Sequence, residues 1–209
     1  MVCIQNGMIY DAVAREPYEA DLLVEDGKIK KIGQIHEMPE GTPIIDVKGF
    51  VEAHGHIGLD GYGIGYEGQD FNEKNDIISP QLRGIDGIKA MDPAFDEAMR
   101  AGVTCVGVGP GSANVLGGTF AAIKTVGKRV ENMIVKDAVA MKCAFGENPK
   151  RVYKEKSDSC RMTTASLLRE ALFQTREYME KKEAAGEDIF KRPPYNMKWE
   201  ALIPVLKGE

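Results

Sequence analysis

The sequence predicts an α/β protein with a small antiparallel β unit at its N-terminus. Three observations predict it. Short apolar runs broken by Asn-Gly and Asp-Gly fill residues 1 to about 47. After residue 50 the texture changes to strand, loop and helix. A capped helix then runs directly into the apolar stretch Val103–Val108, the order of a βα repeat and a parallel sheet.

Val2–Gln5 meets Asn6-Gly7 and then Met8–Tyr10, and Asp21–Glu25 meets Asp26-Gly27 and then Lys28–Ile32. Asn-Gly and Asp-Gly between apolar or alternating runs are strong hairpin signals, because both central residues tolerate positive φ. Pro39 and Pro43 punctuate a loop, and Ile44–Val47 returns as a strand. Phe50–His56 reads as the next strand, followed by a loop with glycines at 58, 61, 63, 65 and 68. Asp92 as N-cap, Pro93 at the first helical position and Gly102 at the end bound a helix over 93–101. Ala138–Phe145 is an apolar strand interrupted by Lys142. The spacing of Ala165, Leu168, Leu172 and Met179 predicts a helix from about Thr164 to Ala185, stopped by Gly186. Its opposite face carries Arg169, Glu170, Glu177, Glu180, Lys181 and Lys182, a solvated face. Trp199–Leu206 predicts a last short helix that contains Pro204.

Composition narrows the function. The chain has 209 residues, enough for one domain or a domain with an annex. It is 43% hydrophobic and 28% charged, a globular balance. No apolar run approaches the ~18 residues of a membrane span. The first residues carry no basic stretch followed by an apolar one, so no signal peptide is expected. The net charge of −5 is interspersed, with no basic stripe for nucleic acid. Cys3, Cys105, Cys143 and Cys160 are scattered without a C-x-x-C, as expected of reduced thiols in the cytoplasm.

The chemistry concentrates in Phe50-Val51-Glu52-Ala53-His54-Gly55-His56-Ile57-Gly58. Alternate side chains of a strand point the same way, so His54 and His56 aim two imidazoles at one place, as a metal site requires. They are two of only three histidines, and His36 reads as a surface residue of the annex. Gly107-x-Gly109-x-Gly111 invites a dinucleotide reading, but Pro110 and the following Asn-Gly-Gly loop argue against the helix that such a site needs.

A β annex, a strand ending in His-x-His and then βα units resemble the amidohydrolase superfamily. Asp26–Gly33 is similar to that family's "dGkI..IG" hairpin, within a matching stretch from Ala12. Phe50–Gly58 is similar to its first barrel strand, and Ala101–Thr104 to its entry into the second. Gly109–Gly118 resembles a loop of members related to imidazolonepropionase. The resemblance implies the N-terminal half of a metal-dependent hydrolase, a (β/α)8 TIM-like barrel preceded by a small β-sandwich subdomain. Residues 1–49 would be the β subdomain and residues 50–209 the first half of the barrel. It implies His54 and His56 as metal ligands and Lys142 as a carboxylated lysine of the isoaspartyl-dipeptidase kind. Glu147 is the competing ligand, and Ser112 and Asn114 are substrate-loop candidates.

A lysine that snorkels from a strand edge is the alternative for Lys142. The cofactor implied is one or two divalent cations, zinc first among them. The reaction implied is cleavage of an amide, cyclic amide or peptide-like C–N bond.

Two departures from the family stand out. Asp46-Val47-Lys48-Gly49 runs straight into Phe50 where the family has Pro-Gly, so a short deletion is expected there. No histidine follows His56, so the family's later histidines and its strand-eight aspartate, the catalytic proton carrier, are missing. The expectation is a fragment, a truncated frame or one chain of a split protein. Its partners would be a small-molecule substrate, the C-terminal half of the barrel or a second chain, and copies of itself in a homo-oligomer. The alternative is a non-catalytic binding or assembly module built on a truncated barrel.

Overall fold

The computed structural model describes residues 1–9, 14, 18–47, 49–63, 65–156 and 159–209. Tyr10, Ala12 and Lys48, which entered the expectations above, lie outside the described residues. The described residues form two four-stranded sheets. The first has the order β3-β2-β1-β4, from β1 (Val2–Ile9), β2 (Tyr18–Glu25), β3 (Lys28–Gly33) and β4 (Ile44–Asp46). The second has the order β5-β6-β7-β8, from β5 (Phe50–Gly55), β6 (Val103–Val108), β7 (Leu116–Lys124) and β8 (Ile134–Cys143). The helices are α1 (Pro93–Arg100), α2 (Glu147–Val152), α3 (Arg161–Ala185) and α4 (Met197–Lys207).

Asp26-Gly27 is the tight turn expected, with φ of 51° and 72° joining β2 to β3. Asn6-Gly7 is not a turn. β1 runs through it as one strand, and the register shifts between Ile4 and Gly7. Asn6 takes the left-handed φ of 58° as part of a bulge. Polar side chains of the neighbouring strands hold that bulge. Asp21 Oδ1 accepts from the Asn6 N–H at 3.0 Å, and Asn6 Nδ2 donates to Asp46 Oδ1 at 3.1 Å. β4 then adds parallel to β1, so this sheet is mixed where a purely antiparallel unit was expected.

One face of the first sheet buries Cys3 and Leu23 against Ile35 and Met38. Its registers align Val2, Val24 and Ile29 in one cross-strand row of the other face, and Ile4, Leu22, Ile32 and Ile45 in the next. All seven are half-buried or exposed, so this aliphatic face is uncovered by the described residues.

The expected βα repeat occurs once. β5 and β6 are parallel, and α1 makes the return between them. Asp92 caps α1 as expected, its Oδ1 accepting from the Ala94 N–H at 2.9 Å with Pro93 at the first turn. β7 then runs antiparallel to β6, and β8 antiparallel to β7, which corrects the wholly parallel expectation. The reason is chain length. A parallel return needs about a dozen residues or more, and the connections at 109–115 and 125–133 are shorter. β7 itself gave no strand signal, since it opens on Gly117-Gly118 and carries Ala121-Ala122 at its middle.

The main core lies under one face of the second sheet. Val106, Val108, Ala121 and Ile123 pack there against Leu59, Ile85, Phe95 and Met133. A second cluster, Leu116, Ala171 and Leu202, joins the sheet to α3 and α4. α3 buries Thr164, Ala171, Thr175, Tyr178 and Ala185, a stripe offset from the one its apolar residues suggested. Leu172 and Met179 are only half-buried. Polar contacts explain the offset. Tyr178 Oη and Lys182 Nζ both donate to Glu200 Oε1 of α4, at 2.7 and 2.5 Å. Burial raises the Glu200 carboxyl pKa, but those two hydrogen bonds outweigh it and hold the group below its ordinary value. α4 starts at Asn196, whose Oδ1 accepts from the N–H groups of Lys198 and Trp199, and it contains Pro204.

Leu202 is fully buried at the α3–α4 seam. Leu202→Ala should lower the unfolding free energy by about 3 kcal/mol in urea titrations, from lost transfer energy plus a residual cavity. A loss under about 1 kcal/mol would mean that α4 is not packed as described.

Candidate functional site

The second sheet brings His54, His56 and Lys142 together at one end. His54 lies near the end of β5, and His56 follows one residue beyond the strand. Their rings are 5.5 Å apart between centroids and nearly perpendicular, at 83°. β8, at the opposite edge of the sheet, delivers Lys142, 9% exposed, with Nζ 3.3 Å from His54 Nε2. That distance is within hydrogen-bonding reach, with the direction set by the tautomer of the ring. Phe120 of β7 lies beside them. Its ring is 4.9 Å from His54 and 6.5 Å from His56, and the Lys142 amine is 5.8 Å from its centre.

His56 Nδ1 is 2.8 Å from the Gly109 carbonyl oxygen. A carbonyl can only accept, so Nδ1 carries the proton and the Nε2 lone pair is left available. Gly109 can approach so closely because it has no side chain: a Cβ there would overlap the Phe120 ring. Gly107 likewise lies against the Ala53 backbone. The alternating glycines therefore serve close packing, and the element that follows them is strand β7, not a helix.

Burial holds the His54 imidazole below its ordinary pKa, and the nearby Lys142 and His56 charges push the same way. Burial also lowers the Lys142 ammonium pKa. Both groups thus lean toward their uncharged, electron-pair-donating forms.

The other sequence candidates have different placements. Glu147 opens α2, exposed, and pairs with Lys150 at 2.9 Å and Arg161 at 3.7 Å. Among the described residues no three His, Cys, Asp or Glu side chains group as metal ligands, so Glu147 does not join the two histidines. Asn114 is buried inside the wall of the site. Its Nδ2 donates to the Asp76 carbonyl at 2.6 Å and to Tyr153 Oη at 3.2 Å. Burial pushes the Tyr153 phenol up to about 12. Lys198 of α4 pairs with Asp76, and Lys156 Nζ donates to the Lys74 carbonyl at 2.7 Å. Together these contacts staple segment 71–76 in place. Ser112 is half-buried in the same connection. His36 is exposed, as expected, and the four cysteines are free thiols.

A cleft of about 740 Å³ adjoins the site, with Phe71, Asn72, Glu73, Arg83, Pro110 and Gly117 among its walls. The Phe71 ring is 5.3 Å from His56. Sequence reasoning passed over Phe71 and Phe120, and it met Gly109 only as part of a dinucleotide motif and of a loop resemblance. The one available signal was the alternation of glycines at 107, 109 and 111, which marks close backbone approach.

No family model matches the chain. It is 30% identical to the amidohydrolase tasK of Hapsidospora irregularis over 219 aligned residues, which cover 90% of this chain and 22% of that protein. A dihydroorotase of Clostridioides difficile is 33% identical over 38% of this chain and 18% of its own length. A solved amidohydrolase from Thermotoga maritima is 39% identical and superposes with a TM-score of 0.76 over 99% of this chain. The chain belongs to the amidohydrolase superfamily. It spans 56% of the Thermotoga chain and 22% of tasK.

The residues fit the divalent cation expected of an amidohydrolase as part of a ligand set. One imidazole has its outer nitrogen fixed as a donor, a second faces an amine, and that amine is shielded from water. Imidazole nitrogens suit borderline cations such as zinc, and a backbone carbonyl orienting the far ring nitrogen is what a ligating histidine ordinarily has.

The depressed His54 pKa predicts a titration midpoint below the ordinary imidazole value of about 6.5. The folded state then binds fewer protons than the unfolded one. The stability contributed by neutral His54 is fully present above the unfolded-state pKa and is lost as pH falls from there through the lower folded-state pKa. Histidine ring NMR across pH 4–8 would read this; a His54 midpoint above the ordinary imidazole value would contradict it.

Proposed function

We propose that this chain supplies part of the active site of a metal-dependent amidohydrolase that cleaves an amide, cyclic amide or peptide-like C–N bond. The observation that carries the reading is the convergence of His54, His56 and Lys142 from opposite edges of one sheet, beside a cleft, in an amidohydrolase chain. His54, His56 and Lys142 would hold the cation. A divalent cation there would supply a water acidic enough to act as nucleophile near neutral pH and would polarise the substrate carbonyl.

The chain's own residues prepare the site. The Gly109 carbonyl places the proton of the neutral His56 ring on Nδ1, so that Nε2 is the nitrogen presented outward. Burial lowers the Lys142 ammonium pKa, which favours the neutral amine; its nitrogen would attack CO2, lose a proton and become a carbamate with two further oxygen donors. Phe120 packs against the His54 ring and Phe71 against the His56 ring, which fixes one side of each imidazole. The proton carrier and the remaining ligands belong to polypeptide outside these residues.

Residues 1–49 are the β subdomain in this reading, and 50–209 the first half of a (β/α)8 barrel. The uncovered aliphatic face of the first sheet, and exposed Val51, Val135 and Val139 on the edge strands of the second, support covering by further chain. That chain would be the other barrel half or a second subunit, and self-association belongs to the same proposal. The free cysteines support a cytoplasmic setting. Among the described residues no helix is long and apolar enough to cross a membrane.

The test is metal content. Protein purified with zinc and then dialysed should retain it, and His54→Ala should lose most of it while keeping its far-UV circular dichroism. Equal zinc stoichiometry in the two proteins would sink the reading.

A further inference from the structure

We propose that Phe120 is the positioning residue of this site: one phenyl ring sets the relative placement of both imidazoles and of the Lys142 amine. The purpose of that placement rests on the metal-site reading above; the geometry does not.

Phe120 is 5% exposed, yet it belongs to none of the three hydrophobic clusters of the described residues. Its β7 neighbours Ala121 and Ile123 face the main core. Alternation along the strand turns Phe120 to the other side of the sheet. Polar groups meet it there. The His54 ring meets it at 4.9 Å and 63°, an edge-on approach, and the Lys142 amine lies 5.8 Å from its centre. A buried phenylalanine whose neighbours are two imidazoles and an amine is not ordinary core filling.

The link to His56 is indirect and rigid. The Phe120 ring lies flush against the Gly109 backbone, where a Cβ would overlap it. The Gly109 carbonyl in turn accepts the His56 Nδ1 proton at 2.8 Å. The ring therefore touches His54 directly, reaches His56 through the backbone that chooses its tautomer, and flanks Lys142 on β8. β7 is hydrogen-bonded both to β6, which leads into Gly109, and to β8, which carries Lys142, so the ring sits between those two strands. Removing the ring frees all three groups at once, whereas loss of any one of them leaves the other two in place.

The experiment uses the metal-free chain, with histidine ring nitrogens observed by NMR and Co2+ titrated as a separate probe. The wild type should show His56 as the Nδ1–H tautomer and a contact between the His54 and Phe120 rings. Phe120→Leu and Phe120→Met keep apolar volume but lose the ring. Both should shift His56 toward a tautomer mixture and weaken Co2+ binding by about tenfold or more, with circular dichroism unchanged. Phe120→Tyr should restore the wild-type tautomer.

Either aliphatic variant, folded, with the wild-type tautomer ratio overturns the proposal, and so does a wild type in which His56 carries its proton on Nε2. A chain that binds no Co2+ but shows the tautomer shift upholds the positioning role and removes the metal reading, so the two failures are distinguishable.

Discussion

Where β6 leaves the sheet, Gly107 and Gly109 lie so close to the Ala53 backbone and the Phe120 ring that neither position has room for a side chain. This close approach governs the site. It lets β5 and β7 draw in on both sides of β6. It also puts a carbonyl oxygen within hydrogen-bonding distance of His56. An amide backbone pressed against an aromatic face is stiff, because interiors packed at crystal-like density offer no low-energy displacement. The arrangement is therefore built to hold side chains in one geometry.

The packing beneath that end of the sheet serves the same purpose. The core of Val106, Val108, Ala121 and Ile123 against Leu59, Ile85 and Phe95 fixes the sheet to the long connection between β5 and α1. That connection lines the cleft and carries Phe71. Asn114, Tyr153 and Lys198 anchor it from three other elements. A cleft wall held by buried hydrogen bonds resists rearrangement, since breaking one leaves an unsatisfied polar group, which costs about 1–3 kcal/mol. The polar residues of this region thus act mainly on shape.

Against this stiff site stand two uncovered apolar surfaces. The first sheet shows seven aliphatic side chains in two cross-strand rows, and the edge strands of the second leave valines in water. Sheets with one apolar face ordinarily bury it, at a gain of about 25 cal/mol per Å². A chain that covers 56% of a related amidohydrolase with a TM-score of 0.76 has the local geometry of that family over its whole length while sharing only part of its extent.

The sequence by itself determined the local features. Asp26-Gly27 specified a turn, because both residues accept positive φ. Asp92, Pro93 and Gly102 bounded α1, because their side-chain chemistry acts within a few residues. His54 and His56 were legible as a pair for the same reason, since strand alternation needs no distant partner. What only the tertiary structure decided were the long-range matters. Asn6-Gly7 became a bulge because Asp21 and Asp46 on other strands bond to it. The buried stripe of α3 followed Glu200 rather than the helix's own apolar periodicity. Glu147 was drawn into surface ion pairs, and Asn114 was buried as a staple. Phe120 acquired its place from the packing of four strands, and no pattern within its own strand carries that information.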